Sequence, residues 1–512
     1  MPTLNKKPRK PTQRQEFSGE ILVASRIVDY LSSGLYESPA ACLKELINNS
    51  YDADACSVKV FVQPDADRII ISDDGHGMNR RDFEHNFKRI SESFKRSGAE
   101  YTEKRNRPKI GKIGIGFIAA NEICDIMEIH STKQGSAELI NVTIDFAKMR
   151  QGLGQRRRSK SDFAKGDYYG KVLQTDKESH YTQIFLRRVR GEARQILVGA
   201  HSPTGHDGHR YSLYGKDERQ ISHDLLTLPI SSWSDFDPYS ETMLRVALNV
   251  PIKYHQNWVP SRLKNQVQYL EREVAKLDFN VYYDGTDLRK PVVLRDEQGD
   301  AIVKSFQYDG KSVSATGYFY VHHGSLKPQE LNGLIVRIRN AAIGGYDPSF
   351  MGFPSSRGQL FQKWISAEVW ASDELEEAMN IDRKTLRLAH PAYVELQKAV
   401  HDELEKVLSI ARSKIYLSGN QKRRERKTEE SINQLMEVIE NNVPAVSARV
   451  AMRIKTAWSP VEDSSRLSGN RILKKFSVAE LYGIVIDVAS ETLSSSQLSR
   501  FLAALTERLS KG

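Results

Sequence analysis

The sequence predicts an α/β protein, an α+β sandwich with mixed sheets covered by helices, that gives way to a helical C-terminal region. Three observations lead there. Strand-length apolar runs rich in β-branched residues ("SVKVFVQ", "DRIIISDDG", "YTQIFLRRV") lie among helical patterns from about residue 17 to 200. Their order is not the strict strand–helix alternation of a doubly wound fold. Beyond about residue 431 only the helical period remains. With 512 residues and 39% hydrophobic content, the chain has material for several separate cores.

The elements follow in order. Residues 1–16, polar and basic, read as a disordered arm, and 17–200 as a first α/β domain. There "ESPAACLKELINNSYDADA" reads as a helix with Ser38 as N-cap and Pro39 at the first helical position. "SVKVFVQ" and "DRIIISDDG" form a hairpin, and "NEICDIMEIHSTK" runs from helix into strand. Residues 201–238 read as a loop-like surface insertion or linker; its His201, His206, His209 and His223 lack firm zinc spacing. A second α/β unit is expected over 239–410, with strands "MLRVALNV", "FNVYYDG", "SATGYFYVHHG" and "GLIVRIRNA" before the helical "HPAYVELQKAVHDELEKVL". The charged "NQKRRERKTEE" marks a linker near 411–430, and 431–512 reads as helical, with Ser477 and Glu480 in a capping box and a helical stripe in "SQLSRFLAALTERL".

Composition narrows the function classes. Three cysteines, Cys42, Cys56 and Cys124, an odd number without metal spacing, argue against a disulfide framework and for a reducing compartment. No signal-peptide core and no membrane-length apolar run occur, so the expectation is a cytoplasmic protein with no membrane partner. The net charge of +10, spread over this length, is compatible with a nucleic-acid partner without establishing one.

Three motifs carry chemistry. In "KELINNSYDADA", Glu45, Asn49 and Asp52 sit at i, i+4 and i+7 and share one helix face. "IIISDDGHGMN" ends a strand in Asp73, followed by Gly75 and Gly77; the glycines allow a sharp turn and close approach to a ligand, and a strand-end carboxylate can accept from an exocyclic amine. In "KIGKIGIGFIAANEI", Gly111, Gly114 and Gly116 precede an apolar helix expected near Phe117, where backbone N–H groups and the helix dipole favour an anion. Taken singly, the first motif is also a solvated face and the second an ordinary turn.

Together and in this order, the three motifs resemble the GHKL ATPases: the ninety-kilodalton heat-shock chaperone, the DNA gyrase B subunit, MutL, MORC proteins and sensor histidine kinases. The resemblance spans roughly residues 20–190 and is strongest to the chaperone and MORC-like branches. It includes "DFEHNFKRISES", with Asn86 and Ser93, and Thr182 in "YTQIFL". It implies a Bergerat-type ATP-binding domain followed by an α/β transducer domain. ATP and Mg²⁺ are the implied cofactors. Asn49 would be the metal ligand, through its amide oxygen, and Asp73 would accept from the adenine amine with Thr182 behind it. Gly75, Gly77 and Met78 belong to the second motif; Asp52 would line the pocket or orient its neighbours. Gly111, Lys112, Gly114, Gly116 and Phe117 would wrap the phosphates, with Lys95 a further contact. Lys44 and Asn48 are assigned structural roles.

Glu45, one turn before Asn49, would activate the attacking water, which places the chain in the hydrolysing branch. No histidine precedes residue 45 to serve as a kinase phospho-acceptor. "ASDELEEAMNIDRKTLR" resembles the chaperone's catalytic loop and nominates Arg383 as the cation facing the transferred phosphoryl group; Arg337 and Arg339 in "LIVRIRNA" are alternatives, or a solvated strand face. The implied protein is a Mg²⁺-dependent ATPase acting as a conformational switch or a homodimeric clamp whose pairing ATP promotes. Its effector is left open between a nucleic acid and a protein partner or client. The rival reading is an ATP-sensing regulator, in stress or phage defence, with little turnover.

Overall fold

The computed structural model describes residues 15–24, 38–63, 67–87, 89–90, 101–111, 116–150, 163–198, 211–297, 299–354, 362–380 and 384–413, and, within 483–511, residues 483, 486–487, 489–490 and 493–511. The chain divides into two compact units, Met1–Ser409 and Ile410–Gly512.

The first unit holds two sheets. Ten strands make the larger: β1 (Gln15–Ala24), β2 (Ser57–Gln63), β3 (Arg68–Asp73), β4 (Arg89–Ile90), β5 (Cys124–Thr132), β6 (Glu138–Asp145), β7 (Phe163–Gln174), β8 (Tyr181–Val189), β9 (Asn280–Tyr283) and β10 (Thr286–Asp287). Their spatial order is β10-β9-β2-β3-β8-β5-β6-β7-β1-β4. Pairing is antiparallel except β2 with β9 and β1 with β4, which makes the sheet mixed, as expected. The expected hairpin is β2–β3, with Val58 opposite Asp73. Burial alternates along β3, β6 and β8, the pattern of a sheet with one face on a core and one toward solvent.

Helix α1 (Pro39–Asp52) lies on the covered face and buries Leu43, Leu46, Ile47 and Tyr51. Pro39 opens it as expected, but Ser38 makes no side-chain capping bond. Helix α2 (Arg80–Phe87) follows the β3 turn, and α3 (Gly191–Val198) follows β8. The helix expected near Phe117 is a seven-residue 3₁₀ helix, Gly116–Glu122. β1 takes Gln15 and Glu16 from the expected arm.

Two stretches depart from expectation for identifiable reasons. Within the 201–238 segment the chain forms α4 (Glu218–Thr227), opened by a capping box between Asp217 and Gln220, and buries Trp233 and Phe236 rather than looping over the surface. "MLRVALNV", expected as a strand, lies inside α5 (Pro238–Asn249): Asp237 accepts from Ser240 N at 2.7 Å and Pro238 opens the first turn, and these start signals outweigh the β-branched content. Helix α6 (Lys264–Ala275) then leads to β9, the expected "FNVYYDG" strand, which joins the first sheet rather than the second.

The smaller sheet contains β11 (Ile302–Asp309), β12 (Ser314–Val321), β13 (Gly333–Ile338), β14 (Ala341–Asp347) and β15 (Ile365–Ala371), ordered β11-β12-β15-β13-β14, with β13 and β15 parallel. Every residue of β13 is buried. The expected solvated face at Arg337 is therefore absent: the side chain is sealed in, paired with Glu368. Helix α7 (Pro391–Ile410) covers the end of this part as expected. Buried side chains from both sheets form one connected core, from Phe17 to Ala342. In the second unit the described helix is α8 (Ser495–Lys511), with Leu502 buried. Ser477, Glu480 and the "NQKRRERKTEE" run lie outside the described residues. Among those described, no helix is long and apolar enough to cross a membrane.

Candidate active site

The site grows out of the packing of α1 on β3. The apolar stripe of α1 runs through positions 43, 46, 47, 50 and 51, and position 50 is a serine. Its hydroxyl therefore faces the sheet, where Ser50 Oγ donates to Asp73 Oδ2 at 2.8 Å. Asp73 Oδ1 accepts from Gly75 N at 3.0 Å, an Asx-type turn that closes the strand end. Burial pushes the Asp73 carboxyl up to about 6, and the bonds from Ser50 and Gly75 offset only part of that. The carboxylate is thus sealed in with neutral donors.

Thr182 stands directly opposite Asp73 across the β3–β8 pairing. Its hydroxyl bonds Ser131 Oγ at 2.9 Å, and Ser131 also receives Met78 N at 2.8 Å. Ser131 thereby ties Thr182 to the backbone of the glycine turn. Gly77 has φ +66°, and a Cβ there would fall 1.8 Å from Thr132 O, so no larger residue fits. A Cβ at Gly75 would meet Ala53 O at 2.6 Å.

On α1, Glu45 is buried and ion-paired with Lys44 at 3.1 Å. Asn49 is exposed although Asn48 and Ser50 beside it are buried. Asn48 Oδ1 is shielded from water and has no hydrogen-bond partner among the described residues. Asp52 is engaged at both oxygens: Oδ1 accepts from Ile110 N at 2.7 Å and Oδ2 from Gly111 N at 2.6 Å. It anchors the start of the glycine-rich segment to α1 and engages the Gly111 amide itself. Arg107 fixes the approach to that segment, donating to Ala55 O at 2.6 Å with its guanidinium over the Tyr51 ring.

The smaller sheet reaches the same place. Arg339, at the β13–β14 turn, donates through Nη1 to Lys109 O, one residue before Ile110; the same nitrogen stands 3.2 Å from Glu376, and Nη2 pairs with Asp373 at 2.8 Å. Asn86 is exposed on α2, apart from these contacts. Gly116 and Phe117 lie in the 3₁₀ helix. Ser93, Lys95, Lys112, Gly114 and Arg383 lie outside the described residues.

Residues 36–182 match the family described as "Histidine kinase-, DNA gyrase B-, and HSP90-like ATPase", a span that contains Glu45, Asn49, Asp73 and the glycine turn and ends on Thr182. The chain carries a GHKL-type ATPase domain. Curated relatives match part of the chain. The putative type II restriction enzyme HgiDII of Herpetosiphon aurantiacus is 32% identical over 116 residues, 23% of this chain and 18% of that protein. The chaperone protein HtpG of Bacillus subtilis is 30% identical over 148 residues, covering 24% of this chain and 22% of HtpG. The DNA mismatch repair protein MutL of Myxococcus xanthus is 45% identical over 58 residues, 11% of this chain and 9% of MutL. The chain spans less than a quarter of the length of each of these relatives.

The residues present fit an adenine nucleotide and a hard cation. The GHKL domain offers an exposed amide side chain at Asn49, a buried acceptor at Asp73 with neutral partners, and a turn at Gly77 that admits no side chain. Sequence reasoning missed Ser50 and Ser131 as supports; it gave Lys44 a structural role and considered Arg339 only as an alternative cation for the phosphoryl group. For Ser50 a signal existed, a polar residue on an apolar helical stripe. Ser131 carries no such local mark.

Proposed function

We propose that the chain is a Mg²⁺-dependent ATP hydrolase working as an ATP-driven conformational switch. One observation carries this reading: α1 bonds Asp73 through Ser50 while presenting Asn49 to solvent one helical turn beyond a buried Glu45. ATP and Mg²⁺, when bound, supply the phosphoryl electrophile and the cation that spreads its charge. Asn49 would hold the cation through its amide oxygen, a hard ligand. Asp73 would accept from the adenine amino group, supported by Ser50 and flanked by Thr182. Glu45 would take the proton of the attacking water, with Lys44 fixing its orientation. Arg383 is proposed as the cation facing the phosphoryl group. Arg337 is ruled out of that role by its pairing with Glu368 inside the second sheet.

The switch would run through the glycine-rich segment. Asp52 holds its first amides and Arg339 holds the preceding carbonyl, so one stretch of backbone touches both the nucleotide helix and the smaller sheet. An ATP-promoted homodimer is proposed as the closed state. The effector is proposed to be a nucleic acid or a protein partner: similarity to MutL and the charge of +10 support the first, similarity to HtpG the second.

Glu45→Gln keeps the side chain's shape beside Lys44 and tests the assignment. ATP affinity should stay within about twofold while turnover falls at least a hundredfold, the scale of losing a positioned base. Unchanged turnover would refute Glu45 as the base. Turnover measured with and without duplex DNA over a salt series separates the two effectors, since neutralised phosphates give a steep salt dependence.

A further inference from the structure

The smaller sheet ends in a group of side chains that the nucleotide site does not use. β12 stops at Val321 and is followed by His322 and His323. Within a regular strand two consecutive side chains point to opposite faces. Here the strand has ended, and the two rings come together with centroids 3.9 Å apart. Facing them is the turn that carries Glu297 and Asp300. Asp296 builds that turn: Oδ1 accepts from Ala301 N at 2.9 Å and Oδ2 from Arg262 Nε at 2.8 Å. Arg295 N donates to Tyr320 Oη at 3.2 Å, which ties the turn to the same strand that delivers the histidines. Both halves of the group are therefore held before any ligand arrives.

One ring nitrogen of each histidine and a carboxylate oxygen of Glu297 all lie within 4.8 Å of one another. His322 Nε2 stands 3.3 Å from Glu297 Oε2, and His323 Nδ1 stands 3.6 Å from Asp300 Oδ1. His323 Nδ1 and Asp300 Oδ1 are both shielded from water, and neither makes a hydrogen bond among the described residues. A buried polar atom left unsatisfied costs about 1–3 kcal/mol, so a facing pair of them asks for a third body between or beside them.

A metal ion meets that need. Two donors about 2.0–2.1 Å from a tetrahedral ion stand roughly 3.3–3.5 Å apart, close to the separations in the two facing pairs. Two imidazoles with carboxylate oxygens suit a borderline divalent ion and not Mg²⁺, which prefers oxygen alone. We infer that Glu297, His322 and His323 form a binding site for a zinc-class divalent cation, with Asp300 as the carboxylate that completes or orients it. This site is separate from the nucleotide site and does not depend on the ATPase reading.

The test uses the full chain, treated with chelator and free of nucleotide and Mg²⁺, titrated with Co²⁺ and then Zn²⁺. The site should take one equivalent of Co²⁺, with the visible absorption of a nitrogen- and oxygen-coordinated ion, displaced by Zn²⁺ and not by millimolar Mg²⁺. His322→Gln and His323→Gln should each weaken binding at least about tenfold, and Glu297→Gln should weaken it less. His223→Gln, at an exposed helical position, should leave it unchanged. A second readout needs no variant: Zn²⁺ should protect His322 and His323 from diethyl pyrocarbonate, mapped by mass spectrometry. Absence of saturable Co²⁺ binding, binding that survives both histidine substitutions, or equal modification with and without Zn²⁺ would overturn the inference.

Discussion

Asp73 and Glu368 are carboxylates sealed inside the protein, one in each sheet, and their surroundings differ in kind. Glu368 receives Arg337 Nη2 at 3.1 Å, Tyr346 Oη at 2.8 Å and the Tyr254 hydroxyl. Burial alone would raise its carboxyl, but Arg337, with Tyr254 and the nearby Lys290, brings it below the usual range. Asp73 has a serine hydroxyl and one backbone amide, and burial leaves it raised to about 6. Glu368 is compensated by its own fold and serves structure. Asp73 is under-compensated, the condition expected of a group whose remaining donor comes from a ligand.

The largest expected effect comes from breaking the compensated site. Glu368→Ala leaves Arg337 buried without its counter-charge and should cost about 3–5 kcal/mol in urea unfolding. A loss below about 1 kcal/mol would mean the smaller sheet is not built around that pair. Asp73→Asn should behave in the opposite way: stability at pH 8 close to wild type, but nucleotide affinity reduced about ten- to a hundredfold, the worth of a hydrogen bond to a charged acceptor. Normal affinity for a fluorescent ATP analogue would remove Asp73 from the adenine site.

Acidity should sharpen the contrast. Because the folded Asp73 carboxyl is raised to about 6 from 3.8, the folded state binds the extra proton. Its contribution to stability is full below the unfolded value and is lost as pH rises through about 6. Wild type should therefore gain about 1 kcal/mol relative to Asp73→Asn between pH 8 and 5, read from paired denaturation curves. ATP affinity should weaken over the same fall in pH, as the acceptor becomes protonated. The smallest effect is expected from Ser50→Ala. Losing that donor should move the pH midpoint of ATP binding upward and lower affinity at pH 7.5 roughly threefold to tenfold; an unmoved midpoint would show that Ser50 does not tune Asp73.

Much of the first sheet and the core of the site were legible because their signals are local. The β2–β3 hairpin, the Asp73 turn and the Glu45–Asn49–Asp52 line each lie within one short stretch of chain. What the sequence hid was long-range. The Arg339 contact with Lys109 O spans 230 positions. Arg337 and Arg339, two positions apart in "LIVRIRNA", suggested a wet face because no local signal tells that Arg337 is buried against Glu368, 31 positions away, while Arg339 lies beyond the end of β13. "MLRVALNV" has strand-like content, and only its upstream "SDFDP" marks the helix start.

β9 gives the ATPase domain a property that its motif boundaries do not suggest. The family match ends at residue 182, yet the sheet continues through β9 and β10, with residues 280–283 running parallel to β2 and fastened where Asp284 Oδ1 accepts from Val62 N at 2.8 Å. A fragment cut after residue 200 would bare the hydrogen-bonding edge of β2 and invite strand addition by a second molecule. In the intact unit, α5 and α6 lie between the motifs and their last strand, so the nucleotide-binding sheet cannot melt without releasing them. Heat or denaturant should meet the whole of Met1–Ser409 as one cooperative block, and nucleotide bound at one end should raise the unfolding temperature of the other.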